Sequence, residues 1–409
     1  MREALATVSA ARLAERIEEL GAIGRTADGG VTRLGLTTEE ESAKTLVSRW
    51  LAARGARITR DAAANLIASF GERDRPIVVA SHLDSVPNGG RFDGHLGVLC
   101  AVEMVEAIAA SGAAMPRVDV IAWTDEEGAR FGVGLFGSAA AYGRLPGEIA
   151  ARRDRDGISV AEALRALRSD GDPTKARRDD GDRAYVELHI EQGPNLERMG
   201  RPLGIVSTIV GITHLRAVVE GSAGHAGTTP MEGRRDALVA AAEMVLALED
   251  AARRRRGTVA TVGEISAEPG AKNVIPGRVV FTVDVRSPED EARRAVVAVL
   301  EDARRDVEKR RAVRASFDPL SDIPAVALDT GMRRILADSV REVGVEPVEL
   351  VSGAGHDAQN PALSGVPTGM LFIRSTNGSH NPREHATAED AARATQALIL
   401  AVSRLAERA

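Results

Sequence analysis

Histidines and carboxylates fall at telling places in this chain. His82 follows one β-rich run, Glu126 and Glu127 follow another, His189 closes a third and His380 follows a fourth. Imidazole and carboxylate are donors that bind zinc, and a hydrolytic zinc site keeps one position for water. Two ions about 3.5–4 Å apart need a carboxylate able to bridge them. Asp93 suits that role, because the turn Phe92-Asp93-Gly94 sets a glycine beside it that lets backbone approach closely. Asp84, two residues after His82, is placed to hydrogen-bond that imidazole and fix its tautomer. Glu126 and Glu127 leave a strand pointing in different directions. One is expected to bind metal, the other to accept a proton from water as a general base. Singly, a His-x-Asp after a strand is commonly an ordinary turn and a Glu pair a solvated loop; jointly, at strand ends, they read as a metal site.

A second polar set lies further on: His225 in GHAGTTP, Asn273 in KNVIPG and Arg286 at a strand end. Arg286 could simply pair with Asp284 or a helix acid, and His225 could cap the helix that follows. The functional reading is recognition of a substrate carboxylate by arginine and amide, with the histidine steadying a developing oxyanion. A domain that brought these residues over the metals would also exclude water. His95 and His385 are read as structural or surface residues, and Cys100, in an apolar helical stretch, as a small buried hydrophobe.

The elements that must hold these residues alternate. Helical spacing runs over 4–20 and 42–55, a β-rich run over 76–81, a helix over 96–110 and a β-branched run over 118–124. Residues 144–183 are polar, with one helical patch at 160–167, and read as a surface excursion before the strand 184–190. This alternation implies an α/β catalytic domain with a mixed, largely parallel sheet and helices on both faces, its sites at the carboxyl ends of strands.

From about 211 the order becomes β-α-β-β-α-β: strand 215–219, helix 235–254, strands 258–265 and 278–286, helix 289–310 and a strand near 313–317. That is the split ferredoxin-like unit. Ser287-Pro288-Glu289-Asp290 resembles a capping box with proline at the first helical position. The expected domains are therefore 1–210 with 327–409, and an insert at 211–326. The first resumes with a helix at 332–343, a strand at 368–374 and a helix at 388–404.

Composition bounds the rest. The 409 residues are 44% hydrophobic and 27% charged, with a formal net charge of −6, so a packed interior is expected and nucleic acid is not expected as a partner. The basic run 253–256 reads as a solvated helix end. One cysteine excludes an intrachain disulfide and suits a reducing compartment. With no signal-peptide core and no apolar run near the ~18 residues that span a bilayer, the expectation is a cytoplasmic protein without a membrane partner.

In order, SHLDSVPNGGRFDGHLGV, TDEEGARF, ELHIEQGP, GHAGTTPMEGRRDA, KNVIPG, VDVR, SGAGHDAQ and SHNP resemble the N-carbamoyl-L-amino acid hydrolase and allantoate amidohydrolase family, relatives of the dinuclear zinc aminopeptidases. The resemblance runs from about residue 20 to the carboxyl end. It implies two divalent ions per subunit, zinc first, with manganese, cobalt and nickel as alternatives. His82 and His189 would serve one ion, Glu127 and His380 the other, with Asp93 bridging and Glu126 as base. Gln192, His214, His225, Asn273, Arg286 and Gly355 match substrate-contacting positions, and the insert would act as a lid and form a homodimer whose partner completes the site. SGAGHDAQ, with His356 and Asp357, favours this branch over the peptidases.

Two departures stand out. The turn Asn377-Gly378-Ser379-His380 is one residue shorter than the family's, and His214 stands where the allantoate enzymes have arginine. The implied reaction is hydrolysis of the ureido C–N bond of an N-carbamoyl-L-amino acid. Allantoate or β-ureidopropionate hydrolysis and a peptidase activity are the rival enzymatic readings, and a non-catalytic relative that keeps the fold is the reading of another class.

Overall fold

The computed structural model describes residues 2–71, 75–178 and 181–407. Two compact units emerge, Met1–Ser207 with Leu328–Ala409, and Thr208–Ala327. The second begins three residues before, and ends one residue after, the insert expected at 211–326.

In the first unit, helices α1 (Arg2–Thr7), α2 (Ala10–Gly21) and α3 (Thr38–Ala52) precede strands β1 (Arg57–Arg60), β2 (Leu66–Phe70) and β3 (Ile77–His82). Then come α4 (His95–Ala110), β4 (Val118–Trp123), α5 (Phe136–Ala141), α6 (Val160–Ala166), β5 (Ala184–Ile190), α7 (Asn195–Met199) and β6 (Leu203–Ile209). The second unit runs β7 (Gly211–Glu220), β8 (Gly224–His225), α8 (Ala237–Arg253), β9 (Val259–Thr261), β10 (Ile265–Glu268), β11 (Val274–Ile275), β12 (Arg278–Ser287), α9 (Asp290–Arg311), β13 (Arg314–Ile323) and β14 (Val326–Ala327). The chain completes the first unit with α10 (Thr330–Glu342), β15 (Glu349–Ser352), α11 (Gln359–Leu363), β16 (Thr368–Ile373) and α12 (Ala388–Glu407).

Strands β4, β3, β5 and β16 lie side by side and pair in parallel. Each is buried along its whole length, which is why their sequences read as nearly unbroken apolar runs. On the flanks the pairing turns antiparallel, through β2 and β1 on one side and β6 on the other. The sheet is thus mixed, with the expected parallel character confined to its centre. Alternate residues such as Val79, Val120, Val186 and Leu188 pack with α4, α10 and α12 in the main core. The opposite face carries Tyr185 and Glu187: the Trp123 indole donates to the Tyr185 hydroxyl at 3.0 Å, which donates to Glu187 Oε2 at 2.9 Å. Cys100 is buried in α4, where burial pushes its thiol up to about 12.

Some local expectations change. The helix read over 4–20 breaks in two, because Ser9 caps α2 by accepting the Arg12 N–H at 3.1 Å. Residues 144–183 are more than a surface excursion: Ile149, Val160, Leu164 and Ala176 form a small core with Leu36, Phe131 and Phe136. A reciprocal capping box occurs here, between Ser159 and Glu162. At α9 the expected one does not form. Its N-cap is Glu289, the Ser287 hydroxyl accepts the Glu289 N–H at 3.2 Å, and Pro288 lies outside the helix.

Within the second unit the strand order is β10-β12-β7-β13, with β9 also paired to β12 and every pairing antiparallel. Helices α8 and α9 pack against one face, over Ala217, Val219, Phe281, Val283 and Val285. Burial alternates along β12, so Thr282, Asp284 and Arg286 lie on the uncovered face. Arg253 and Arg254 pair with Glu249 and Asp250 in the exposed last turns of α8, as a solvated helix end would.

Candidate metal centre

His82 is the last residue of β3, His189 the penultimate residue of β5, Glu126 and Glu127 follow β4, and His380 lies in the loop after β16. Because these four strands are parallel neighbours, all five side chains start from one edge of the sheet. Gly94 has a positive φ of 67°, and a Cβ there would stand 2.3 Å from His82 Nε2. Only glycine lets the Asp93 turn come this close to the imidazole.

Asp93 divides its two oxygens. Oδ1 lies 3.3 Å from His189 Nε2, and Oδ2 lies 3.3 Å from His380 Nε2, which is also 3.3 Å from Glu127 Oε2. Two donor groups close enough to share a cation result, His82 with Asp93 and His189, and Asp93 with Glu127 and His380. The donor set fits divalent ions for a reason visible in its hydrogen bonds. His82 Nδ1 faces the Asp84 carbonyl at 3.2 Å and His189 Nδ1 the Ile190 carbonyl at 2.9 Å, which assigns a proton to each Nδ1. Their Nε2 atoms then face each other at 3.4 Å, an arrangement that needs a proton or a cation between them. His380, between Asp93 and Glu127, is raised to about 10 by hydrogen bonds to those two carboxylates, so the pocket draws positive charge. The turn before His380 delivers it through left-handed backbone at Asn377, Gly378 and His380 itself.

Glu126 is buried and its Oε2 lies 3.7 Å from His82 Nε2. Burial pushes its carboxyl well above the ordinary range; His82 opposes this, and the charges of Asp357, Glu127 and Asp84 add to it. Asp84 does more than orient His82, whose Nδ1 is 3.4 Å from its Oδ1. Its carboxylate accepts the backbone N–H groups of Glu126 and Glu127, each at 3.0 Å. Gln192 donates to Asp93 Oδ2 at 2.9 Å, and its own Oε1 is buried without a partner. Gly355 is half-buried just before His356.

Glu187 and Glu384 were not singled out in the sequence, and His356 was named only as part of SGAGHDAQ. Glu187, His189 and His356 form a third close donor group. The ring of His356 meets that of His189 edge-on at 4.5 Å and its Nε2 lies 2.7 Å from the Ser352 hydroxyl. Glu187 was detectable as an acid two residues before His189 in an otherwise apolar strand. Glu384 and Ser379, which contact the Asp93 turn, carried no signal beyond their closeness to His380. His95 is buried, as a structural residue would be, and His385 is exposed with its ring edge-on to Phe92.

In the second unit the four expected substrate residues form two separate groups. Arg286 pairs with Asp284 at 2.9 Å, and His214 contacts Asp284 at 3.3 Å and Ser321 at 2.9 Å. His225 and Asn273 meet elsewhere, because β8 pairs with β11 and Asn273 accepts the Ala226 N–H at 2.9 Å. His225 Nδ1 accepts the N–H groups of Gly227 and Thr228 at 3.0 and 3.2 Å, leaving Nε2–H as an exposed donor. It does not cap α8, whose N-cap is Asp236. His214 pairs with Asp284 in the β7–β12 ladder, whereas the β8 and β11 segment lies beyond Glu220 and Arg278. Six residues of strand separate the two ends, about 20 Å.

Histidine and carboxylate donors at the carboxyl edge of a mixed α/β sheet define a class, that of hydrolytic enzymes. The chain belongs to peptidase family M20/M25/M40, whose model matches residues 78–404; enzymes of this family use divalent metal ions. An N-carbamoyl-L-amino acid amidohydrolase of Geobacillus stearothermophilus is 42% identical over 404 residues, covering 97% of this chain and 98% of that one. An allantoate amidohydrolase of Bacillus subtilis is 35% identical over 394 residues, covering 92% of this chain and 93% of that one. Among solved structures, an amidase of the hydantoinase/carbamoylase family from Burkholderia multivorans has a TM-score of 0.90 at 33% identity, with 98% of both chains covered. This chain is accordingly an amidohydrolase acting on C–N bonds. Among the described residues, no helix is long and apolar enough to cross a membrane.

Proposed function

We propose that this enzyme hydrolyses the ureido C–N bond of N-carbamoyl-L-amino acids, releasing the amino acid, carbon dioxide and ammonia. The observation that carries the reading is the divided Asp93 carboxylate, one oxygen toward His189 and the other toward His380, which also contacts Glu127, with the buried acid Glu126 beside His82. His82, His189 and Asp93 would hold one divalent ion, and Asp93, Glu127 and His380 a second, with zinc the first candidate and manganese, cobalt or nickel the alternatives. Such ions supply Lewis acidity toward the ureido carbonyl and make water a better nucleophile at neutral pH.

The chain's own groups do the rest. Glu126 takes a proton from the attacking water and returns it to the departing amine nitrogen. Its raised proton affinity suits a group that must both receive and release a proton. Asp84 anchors the backbone of Glu126 and Glu127 and orients His82. His225 Nε2–H donates to the developing oxyanion, and Arg286, released from Asp284, holds the substrate carboxylate with Asn273. Gln192, His214 and Gly355 complete the substrate contacts. Arg286 stands near one end of the β7–β12 ladder, whereas His225 and Asn273 belong to the separate β8–β11 pair, which follows from the other end at Glu220 and Arg278. A homodimer formed through the second unit, acting as a lid, reconciles these contacts by letting one copy supply the pair and the other the arginine.

A second reading, hydrolysis of allantoate or another ureido acid, draws on the allantoate amidohydrolase relative. Histidine at 214 in place of arginine favours the carbamoyl amino acid. A panel of carbamoyl amino acids, 3-ureidopropionate, allantoate and dipeptides, assayed with metal content measured on the same sample, separates the two. In that assay Glu126→Gln is expected to keep its metal and lose at least about 100-fold in kcat, the usual scale of general-base catalysis. Near-normal turnover in a metal-loaded Glu126→Gln enzyme would remove Glu126 from its role.

A further inference from the structure

Glu384 lies four residues beyond His380, and its side chain is buried. Its carboxylate reaches across to a segment nearly 300 positions earlier in the chain. Oε1 accepts the backbone N–H groups of both Phe92 and Asp93, each at 3.0 Å. Oε2 takes the Ser379 hydroxyl at 2.5 Å, and that hydroxyl oxygen is also 2.8 Å from Asp93 Oδ2. Space for the carboxylate is made by Gly90, where a Cβ would stand 2.0 Å from Glu384 Oε1. One side chain therefore joins the turn that bears Asp93 to the loop that bears His380.

We propose that Glu384 is a positioning residue that holds Asp93 and His380 in register for the ion they share, an inference that rests on the dinuclear reading above. Asp93 can bridge only if its two oxygens divide between His189 and His380, and a rotation about its backbone would spoil both contacts. Glu384 fixes that backbone through two amides, and Ser379, its single hydroxyl proton lying between Glu384 Oε2 and Asp93 Oδ2, ties the two carboxylates together. Asp84 does the equivalent for Glu126 and Glu127, so each acid-bearing turn of the cluster has its own buried carboxylate anchor. Losing such an outer partner weakens metal binding by about 10–100-fold.

The hydrogen-bond pattern makes the role separable from charge. In Glu384→Gln, the amide oxygen can keep both backbone N–H groups while the amide nitrogen donates to Ser379, whose hydrogen then goes to Asp93. The experiment is chelator competition for zinc and manganese, with ion stoichiometry and the melting temperature of the metal-free form, on wild type, Glu384→Ala, Glu384→Gln and Gly90→Ala. The expected result is two ions in the wild type, one of them weakened about 10–100-fold in Glu384→Ala and restored to within a few-fold in Glu384→Gln. Gly90→Ala, which keeps the carboxylate but displaces it, is expected to weaken the same ion. Should Glu384→Ala not fold, Gly90→Ala and Glu384→Gln carry the comparison. Wild-type affinity in Gly90→Ala and in a folded Glu384→Ala, or a Glu384→Gln as weak as the alanine variant, overturns the proposal while the dinuclear reading stands. A wild type that takes up no ion removes both.

Discussion

Asp84 meets two demands with one carboxylate, and the cost of failing either can be read separately. Its oxygens accept the N–H groups of Glu126 and Glu127, and Oδ1 is also 3.4 Å from His82 Nδ1. Asn at this position keeps the shape but turns an NH2 group toward one backbone N–H, so two donors face each other. Asp84→Asn is expected to bind metal about 10–100-fold more weakly and to lose kcat even when metal is saturating. Titration with metal under turnover checks this, and a variant fully restored by excess metal would restrict Asp84 to orienting His82. Much of this centre was legible in the residues alone, because histidines and acids stand out against apolar strands. What acts on backbone amides was not. Glu384 looks like any loop acid until the fold brings it to Phe92 and Asp93, and the second contact of Asp84 depends on the packing of β3 beside β4.

At the scale of elements, the loop that leaves β4 is held by a buried ion pair. Lys44 of α3 and Glu40 one turn earlier are both fully buried, with Nζ 2.8 Å from Glu40 Oε1. The ammonium also donates to the Ala64 carbonyl at 3.1 Å and to the Thr124 hydroxyl at 2.7 Å, so its three protons are all used. Glu40 in turn accepts the N–H groups of Leu36 and Asp125. Removing one partner strands the other, so Lys44→Met is expected to cost about 3–5 kcal/mol in urea unfolding. A loss under 1 kcal/mol would mean that water reaches Glu40. None of this showed in the sequence of α3, which reads as an ordinary charged helix. The main strands β3, β4, β5 and β16 were readable because burial on both faces makes them nearly unbroken apolar runs. The flanking β1 and β2 were not, since RITR and LIASF are short and lack a marked alternation; β2 becomes a strand by antiparallel pairing to β4, and β1 by antiparallel pairing to β2.

Across the whole molecule, one buried histidine bears on acid stability. His95 is held at about 3, first by burial and then by the positive charges of Arg33 and His82. Unfolded, it would take a proton below its ordinary value of 6.5, whereas the folded chain resists until about 3. Its contribution is therefore complete above pH 6.5 and is lost as the pH falls toward 3. The urea midpoint is expected to decline from pH 7 to pH 5, and the decline should shrink in His95→Gln. An equal slope in the two proteins would assign the acid sensitivity to other groups.

Assembly is the larger question at this scale, and the second unit carries the features that bear on it. Val239, Ala242 and Leu246 recur on the outward side of α8, and Leu246 is 64% exposed. At the edge of the five-stranded sheet formed by β9 and β10, Val259 and Ile265 are 57% and 52% exposed. An apolar helix stripe beside an open strand edge is an aggregation hazard unless another chain covers it. A second copy bringing the same stripe and edge would make a self-complementary interface, and a stable one buries about 800 Å² per partner. Leu246→Arg combined with Ile265→Arg is expected to turn a dimer into a monomer in sedimentation. Because Arg286 and the His225–Asn273 pair lie beyond opposite ends of the β7–β12 ladder, the monomer should keep its metal and its folded spectrum yet lose turnover by orders of magnitude. A monomer of undiminished activity would show that one chain completes its own site, and the assignment of His225 and Asn273 to the partner would have to be given up.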